Sequence, residues 1–273
     1  MRTELSNRMV GTGTNALASS IVLACIPRGA EASMVTRRDF ASTLRIELPK
    51  AIKHLQSGNV APVDLAQASI GPGMAVFSRY SKVVSADGSS MSIREALQLI
   101  NQVLDESLVE QESDFDSETR FALRWFEQYG LKEGPFGDAE VLAKAMAVAV
   151  SSLVESGIAY SAAGKVRLLK RDELQEDWDP RADSHTNIWE ATQYLVKALE
   201  SGGELSAASL LIKLGSATSE TARELAYRLY QTSDRAGNSK EAGMYDGLVR
   251  SWPEILRLSQ EAEQLTDQSE LNI

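Results

Sequence analysis

Residues 134–171 read "GPFGDAEVLAKAMAVAVSSLVESGIAYSAAGKVRLLKR", and this stretch decides how the middle of the chain folds. Its opening "GPFGD" leads into one long predicted helix over residues 139–155. The second half predicts a β-hairpin, with arms at residues 158–161 and 165–169 and a turn between them. Helices followed by a two-stranded wing are the order of a winged-helix module. We therefore predict such a module over residues 117–171.

The segment before this module is also predicted to be helical. Thr36 opens a helix with a capping signal, and Pro49 is expected to kink or split it. Pro62 starts a short helix, and the "GPG" at residues 71–73 is expected to end it. Ser92, with a glutamate three residues later, is a capping box that opens another helix.

After the polar linker "EDWDPRADSHT", the chain reads as helices only. Breaks in this part are expected near Gly202, Gly215, Gly237 and Pro253. The predicted fold class is therefore mainly α. We divide the chain into a tail at residues 1–28, a helical region at 29–175 that includes the winged-helix-like hairpin, and a C-terminal helical bundle at 186–265.

The opening of the chain fits two incompatible interpretations. A basic start before "VLAC" is typical of a secretory signal with a lipid-accepting Cys25, but Glu4 and the polar run at residues 11–15 interrupt the apolar core. In contrast, "SSIVLACI" at residues 19–26 is apolar on both faces, which is typical of a strand covered on both sides. Such a strand needs neighbours on both edges, since unpaired backbone groups are costly. We therefore predict that residues 1–28 are the orphan hairpin of a larger α/β sheet.

Composition limits the class of function. The chain has 28 basic and 38 acidic residues and a net charge of -10, which argues against nucleic acid bound over the whole surface but allows a local basic face. A single cysteine excludes an intrachain disulfide, and two histidines with no cysteine cluster argue against a zinc site. The sequence contains no nucleophile elbow and no P-loop lysine. The glycine-rich stretches at residues 11–13, 71–73 and 134–137 are interpreted as turns.

The hairpin carries the strongest local signal for a function. Residues 165–171 hold four cations and no acid, and another lysine lies on the preceding helix. The candidate DNA-binding residues are Lys144, Lys165, Arg167, Lys170 and Arg171. Cations at this density are typical of contacts to a phosphate backbone. The helix offers few side chains that read base edges, so contacts mostly to phosphate are expected. A solvated hairpin is the alternative.

Several segments carry a resemblance to a known family: "RTELSNRMVGTGTNALASSIVLACIPR", "TRRDF", "GNVAPVDLAQASIGPGMAVFSRYSKV", "LINQVLDE", "FALRWFEQYG", "GPFGDAE", "GKVRLL" and "WEATQYL". Together they resemble the C-terminal region of the large adenine-specific DNA methylases of bacteria and archaea. The resemblance extends at least to Ile255. That family has an uncharacterised N-terminal domain and is often found in phage-defence gene clusters.

The resemblance implies an S-adenosylmethionine-dependent enzyme whose chemistry lies upstream of the matching region. The family uses a glycine-rich cofactor loop and an N/D-P-P-Y/F motif around a flipped-out adenine. In this sequence no two of the seven prolines are adjacent, and no strand-then-glycine-loop unit occurs. No catalytic or cofactor-binding residue therefore carries over. What matches is the last strand of the methylase sheet, residues 19–26, and the helical region beyond it.

Two hypotheses about function follow. In the first, the chain is the C-terminal accessory part of an adenine-specific DNA methyltransferase, truncated or split and inactive alone. Its partners would be DNA and the missing catalytic half, and S-adenosylmethionine would bind only to the full-length enzyme. In the second, the chain is a stand-alone helical module that binds protein or DNA. We expect a cytoplasmic protein without membrane contact, and self-association through residues 19–26.

Overall fold

A computed structural model describes residues 27–29, 31–183 and 185–270, with side chains up to residue 265. Most of this chain is helical, as the sequence predicts, and the strands are short. The elements in chain order are β1 (Met34–Thr36), α1 (Arg37–Ser57), α2 (Pro62–Ser78), β2 (Lys82–Val84), α3 (Ile93–Glu110), a 3₁₀ turn (Gln111–Asp114), α4 (Ser117–Tyr129), β3 (Gly134–Pro135), α5 (Phe136–Ala145), α6 (Val150–Glu155), β4 (Ala159–Ala162), β5 (Lys165–Leu168), a second 3₁₀ turn (Arg171–Glu173), α7 (Ile188–Leu214), α8 (Ser216–Arg235) and α9 (Ser239–Glu270). The strand predicted at residues 19–26 lies outside the described residues. None of the described helices is both long and apolar enough to cross a lipid bilayer.

The first helix, α1, begins where the sequence predicts. The side chain of Thr36 accepts a hydrogen bond from the backbone N–H of Asp39 at 3.2 Å, which satisfies one of the free donors of the first turn. Pro49 does not split the helix. Leu48 and Ile52, on either side of this proline, are both buried in the same core, so packing holds the two halves of the helix together.

The break predicted at residues 71–73 is wrong, because α2 continues through the "GPG" without interruption. Gly73 faces the side chain of Ile100 on α3. A Cβ atom on Gly73 would lie 2.6 Å from the nearest carbon of Ile100. The glycine therefore allows the two helices to approach closely, and it does not end the helix.

Residues 117–168 have the topology of a winged helix. Helix α4 is followed by β3, then by α5 and α6, and then by the hairpin of β4 and β5. The strands form an antiparallel sheet in the order β3-β5-β4, so the short β3, which the sequence does not predict, pairs with the inner arm of the hairpin. Ala163 and Gly164 make the hairpin turn with φ of 50° and 75°, as a two-residue type I′ turn requires. The predicted winged-helix-like hairpin is confirmed.

The single helix predicted over residues 139–155 is wrong. The chain forms two helices, α5 and α6, separated by residues 146–149. Ala147 adopts φ of 58°, a left-handed conformation that interrupts the helix. After this interruption, Val150 and Leu153 of α6 are buried in the core. The sequence conceals the turn, because no glycine or proline marks it.

The C-terminal bundle consists of α7, α8 and α9. Gly215 ends α7 with φ of 77°, and Gly237 lies between α8 and α9 with φ of 70°. The break predicted near Gly202 is a kink within α7, where Gly203 has non-helical angles. The break predicted at Pro253 is wrong, since α9 runs through it and buried neighbours on both sides hold the helix in the bundle core.

One hydrophobic core connects the N-terminal helices, the winged helix and the bundle. Its largest fully buried side chains include Phe40 of α1, Trp125 of α4 and Trp252 of α9. Ion pairs accompany this packing. The carboxylate of Glu112, in the first 3₁₀ turn, accepts a hydrogen bond from Arg228 of α8 at 2.7 Å. Arg228 also pairs with Glu127 of α4, so α8 is linked to the winged helix and to the turn that precedes it.

Candidate nucleic-acid interface

The inner arm of the wing, β5, places its side chains on alternate faces. Val166 and Leu168 point into the core and are 1% and 0% exposed. Lys165 and Arg167 lie on the opposite face, because successive side chains of a strand point to opposite sides. The hairpin therefore carries its two cations on the outer side.

Arg167 is held in place by its neighbours. Its two terminal nitrogens donate to the carboxylate of Glu173, both at 2.6 Å. The guanidinium also lies 4.8 Å from the centre of the Tyr160 ring, which is a cation–π contact. The hydrogen bonds raise the pKa of Arg167 and lower the pKa of Glu173. Arg167 thus keeps a fixed, planar cation at the edge of the wing, with part of its charge balanced.

The lysines are more exposed and more weakly paired. The Nζ atom of Lys165 lies 3.0 Å from Glu133, and that of Lys144 lies 3.9 Å from Glu140. Lys170 forms no ion pair with any described residue. Exposed pairs of this kind contribute roughly 0–1 kcal/mol. An incoming phosphate can therefore replace the carboxylates at little cost.

Arg171 lies apart from the other four candidates. Its guanidinium enters the junction with the bundle, where it donates to both carboxylate oxygens of Glu241 at 2.7 Å and to Gln193 at 2.8 Å. Only 12% of the side chain is exposed. Burial alone would lower the pKa of Arg171, but the hydrogen bonds to Glu241 and the neighbouring charges together have the larger opposite effect, so the pKa is raised. Arg171 joins the winged helix to the bundle, so the prediction that it contacts DNA is wrong: its guanidinium is buried against Glu241.

Helix α6 occupies the position of the second helix of a helix-turn-helix. Val150 and Leu153 are buried, which leaves Ser151, Val154 and Glu155 exposed. None of these side chains is a cation, and Glu155 would repel phosphate. The bidentate contacts that read base edges most often come from Arg, Lys, Asn or Gln, and α6 exposes none of these. The geometry therefore favours contact between the wing and the phosphate backbone of DNA over recognition of bases by α6.

Charge is distributed unevenly along the chain. Residues 117–171 contain eight Lys and Arg against six Asp and Glu, whereas the chain as a whole has a net charge of -10. The linker that follows, residues 172–185, contains six acids and one arginine. The winged helix is thus a locally basic segment followed directly by an acidic one.

Residues 116–271 match the family model described as a domain of unknown function, DUF8807. The matched range covers more than half of the chain and runs from the cap of α4 to the end of α9. The chain belongs to the DUF8807 family. No curated protein and no solved structure matches the sequence.

The first residue of the DUF8807 match, Asp116, links the winged helix to the bundle. Its carboxylate accepts a hydrogen bond from the backbone N–H of Thr119 at 2.7 Å and so caps α4. The same carboxylate accepts a hydrogen bond from the backbone N–H of Ile188 at 3.0 Å, in the first turn of α7. The hydroxyl of Thr119 accepts from the N–H of Trp189 at 2.9 Å. One residue thus satisfies free donors at two helix starts. The winged helix and the bundle of the DUF8807 domain are therefore tied at their first turns.

The described residues do not meet the requirements of a metal site. Across the described ranges, no three His, Cys, Asp or Glu side chains come close enough to hold a metal ion. The Nε2 atom of His185 lies 3.7 Å from the carboxylate of Glu118, at the junction and not at the wing. Sequence reasoning did not identify this junction, because its residues are far apart in the chain and belong to no motif.

Proposed function

We propose that the chain is the DNA-engaging accessory part of an adenine-specific DNA methyltransferase and carries no methyl-transfer chemistry itself. The observation that carries the proposal is a winged helix with cations on the outer face of its wing, within an otherwise acidic chain. The resemblance of the sequence to the C-terminal region of those methylases supplies the reaction. The protein would act in the cytoplasm.

The wing would hold the phosphate backbone through Lys165, Arg167 and Lys170, with Lys144 as an additional contact. Phosphate contacts position a protein on DNA but do not specify sequence. Recognition of the target adenine, and binding of S-adenosylmethionine, would therefore belong to the catalytic half with which this chain associates. The chain alone is expected to transfer no methyl group to DNA. Adenine methylation by the purified chain would contradict this part of the proposal.

DNA binding can be tested by fluorescence anisotropy with a labelled 20-base-pair duplex over a range of salt concentrations. Each phosphate contact contributes about 0.9 to the slope of log K against log salt. Replacing Lys165 and Lys170 together by Ala should weaken binding and make the slope less steep by about 2. The matched control replaces Lys50 and Lys82, two exposed lysines outside the winged helix, by Ala. Equal slopes for the two double variants would contradict the role of the wing.

A second candidate function is a stand-alone module that binds another protein. The exposed surface of α6, which lacks cations, favours it. In this case residues 29–273 should fold without the preceding segment, and deletion of residues 1–28 should leave the melting temperature and the solubility unchanged. Loss of soluble protein on that deletion would support the methylase proposal instead.

We also propose that the apolar segment at residues 19–26 drives self-association of the chain. Val22→Lys would place a charge in the middle of this segment. Size-exclusion chromatography should show a smaller apparent mass for the variant than for the parent. Identical elution profiles would contradict the prediction.

A further inference from the structure

A cavity of about 540 Å³ lies where the winged helix, the acidic linker and α7 meet. Its walls include the turn after α6 at Ser156 and Gly157, the linker residue Trp178, and Tyr194 of α7. Its lining contains carboxylates and no Lys, Arg or His. The six acidic residues are Glu155, Glu173, Asp177, Asp179, Asp183 and Glu190. A concave site of a single sign of charge concentrates ions of the opposite sign.

Three of the six carboxylates already have partners. Glu173 binds Arg167, Asp179 lies 3.2 Å from the Nζ atom of Lys213, and Asp183 accepts a hydrogen bond from the indole of Trp178 at 3.1 Å. The other three form no ion pair with any described residue. They are Glu155, Asp177 and Glu190, which lie at the end of α6, in the linker and on α7. Carboxyl groups without an ion-pair partner therefore lie on three walls of the cavity.

Glu190 is the most unusual of the three. It is only 7% exposed, and the one hydrogen bond that its carboxyl accepts from the described part of the chain ends on Oε2, not on Oε1. This oxygen faces Gly157, where an added Cβ atom would lie 3.8 Å away. The other oxygen lies 3.5 Å from the side-chain amide of Asn187, which is a weak bond. A buried carboxyl is normally either paired or protonated, so an unpartnered oxygen aimed at a cavity leaves a position where a cationic ligand could bind.

The aromatic part of the wall is also suited to a cation. The rings of Trp178 and Tyr194 stack, with their centres 4.1 Å apart and their planes within 7°. The hydrogen bond from the Trp178 indole to Asp183 fixes this pair. Aromatic faces attract organic cations, and they also pack against methylene groups. A bound ligand would thus meet both carboxylates and an apolar surface.

We propose that this cavity binds an aliphatic polyamine. Three carboxylates on separate walls match a flexible chain with several ammonium groups, and the methylene segments between those groups would lie against Leu169, Leu174 and the aromatic pair. A bare metal ion fits less well, since no three carboxylates of the described chain converge on one point. A volume of this size is in the range of small-molecule sites. The proposal does not depend on DNA binding.

Binding of a cation in this cavity would change the protonation of Glu190. Burial first, and then the charges of Asp183 and Glu118, raise the pKa of Glu190 to about 8. The linker contributes Asp183 and His185 to this region, α4 contributes Glu118, and α7 contributes Tyr194. An ammonium group beside Glu190 would lower the pKa of that carboxyl. Binding at pH 7 should therefore release a proton, and affinity should increase as the pH rises toward 8.

The test is isothermal titration calorimetry of the full chain with spermidine at low salt, in two buffers that differ in ionisation enthalpy. Asp177→Asn and Glu190→Gln should each weaken binding at least tenfold. The control Glu263→Gln removes an exposed carboxylate of α9 and should bind like the parent. Asp177 is exposed on the linker, so its variant tests the site even if the buried substitution disturbs folding. Absence of binding, or affinities of the cavity variants equal to that of the control, would overturn the proposal.

Discussion

Replacing Glu190 by Gln should stabilise the chain, and the gain should increase with pH. The carboxyl is almost completely buried at the start of α7, and its only hydrogen bond to a described residue is the long contact with Asn187. Burial, with the negative charges of Asp183 and Glu118, raises its pKa from 4.5 to about 8. Gln has nearly the same shape as Glu and no charge. The variant therefore removes the cost of burying a negative charge and leaves the packing unchanged.

The direction and size of the effect follow from where the proton is bound. Below pH 4.5 the carboxyl is protonated in both the folded and the unfolded chain. Between pH 4.5 and 8 the unfolded chain releases this proton and the folded chain retains it, so the free energy of unfolding falls as the pH rises. A tenfold change in an acid constant is worth about 1.4 kcal/mol. The rise from 4.5 to about 8 thus corresponds to a loss on the order of 5 kcal/mol by pH 8.

The assay is guanidinium chloride unfolding, followed by circular dichroism, at pH 5 and at pH 8. We expect the stability difference between Glu190→Gln and the parent to grow by about 2–5 kcal/mol between these two values. Glu263→Gln, on the exposed surface of α9, is the control and should show no such growth. A variant that is equally stabilised at both pH values, or destabilised at pH 8, would refute the assignment of a buried, poorly paired carboxyl.

Two further substitutions test contacts on which the fold depends. Gly73→Ala would place a Cβ atom 2.6 Å from Ile100, so overpacking should lower the free energy of unfolding by about 1–3 kcal/mol. The buried Ile100→Ala is itself destabilising, but in a chain that carries it the added cost of Gly73→Ala should be smaller, as measured in the same denaturation assay; an unchanged cost would contradict the contact. Arg171→Ala would leave the carboxylate of Glu241 buried without its ion-pair partner, which should lower the free energy of unfolding by about 3–5 kcal/mol. A melting temperature equal to that of the parent would show that this ion pair does not stabilise the junction.

Local signals in the sequence identified most of the elements correctly. Ser92 and Glu95 form the capping box that their spacing predicts, with the N–H of Ser92 donating to Glu95 at 2.7 Å and the N–H of Glu95 donating to Ser92 at 3.3 Å. The alternation of Lys165, Val166 and Arg167 places the cations of the wing on its outer face. These features depend on residues close together in the chain, so composition and spacing are sufficient to predict them.

The predictions that were wrong depend on contacts between residues far apart in the chain. Gly73 looks like a helix breaker until Ile100 is placed against it, and Ala147 gives no sign of its left-handed turn. Arg171 has the sequence environment of a DNA-contacting cation, but Glu241, seventy positions further along, binds it in the junction. The cavity beside Glu190 likewise forms only when α6, the linker and α7 come together. Tertiary packing, and not local propensity, decides each of these cases.

The most direct test of the proposed DNA contact locates it on the protein by NMR. A labelled sample of the chain would be titrated with a 20-base-pair duplex at low salt, and the backbone amide signals would be followed. We predict that the largest shifts occur in residues 160–170, including the wing turn at Ala163 and Gly164, and that they disappear when Lys165 and Lys170 are replaced by Ala. Shifts confined to α8 and α9, or unchanged signals at a DNA concentration that saturates binding, would contradict the proposed role of the wing.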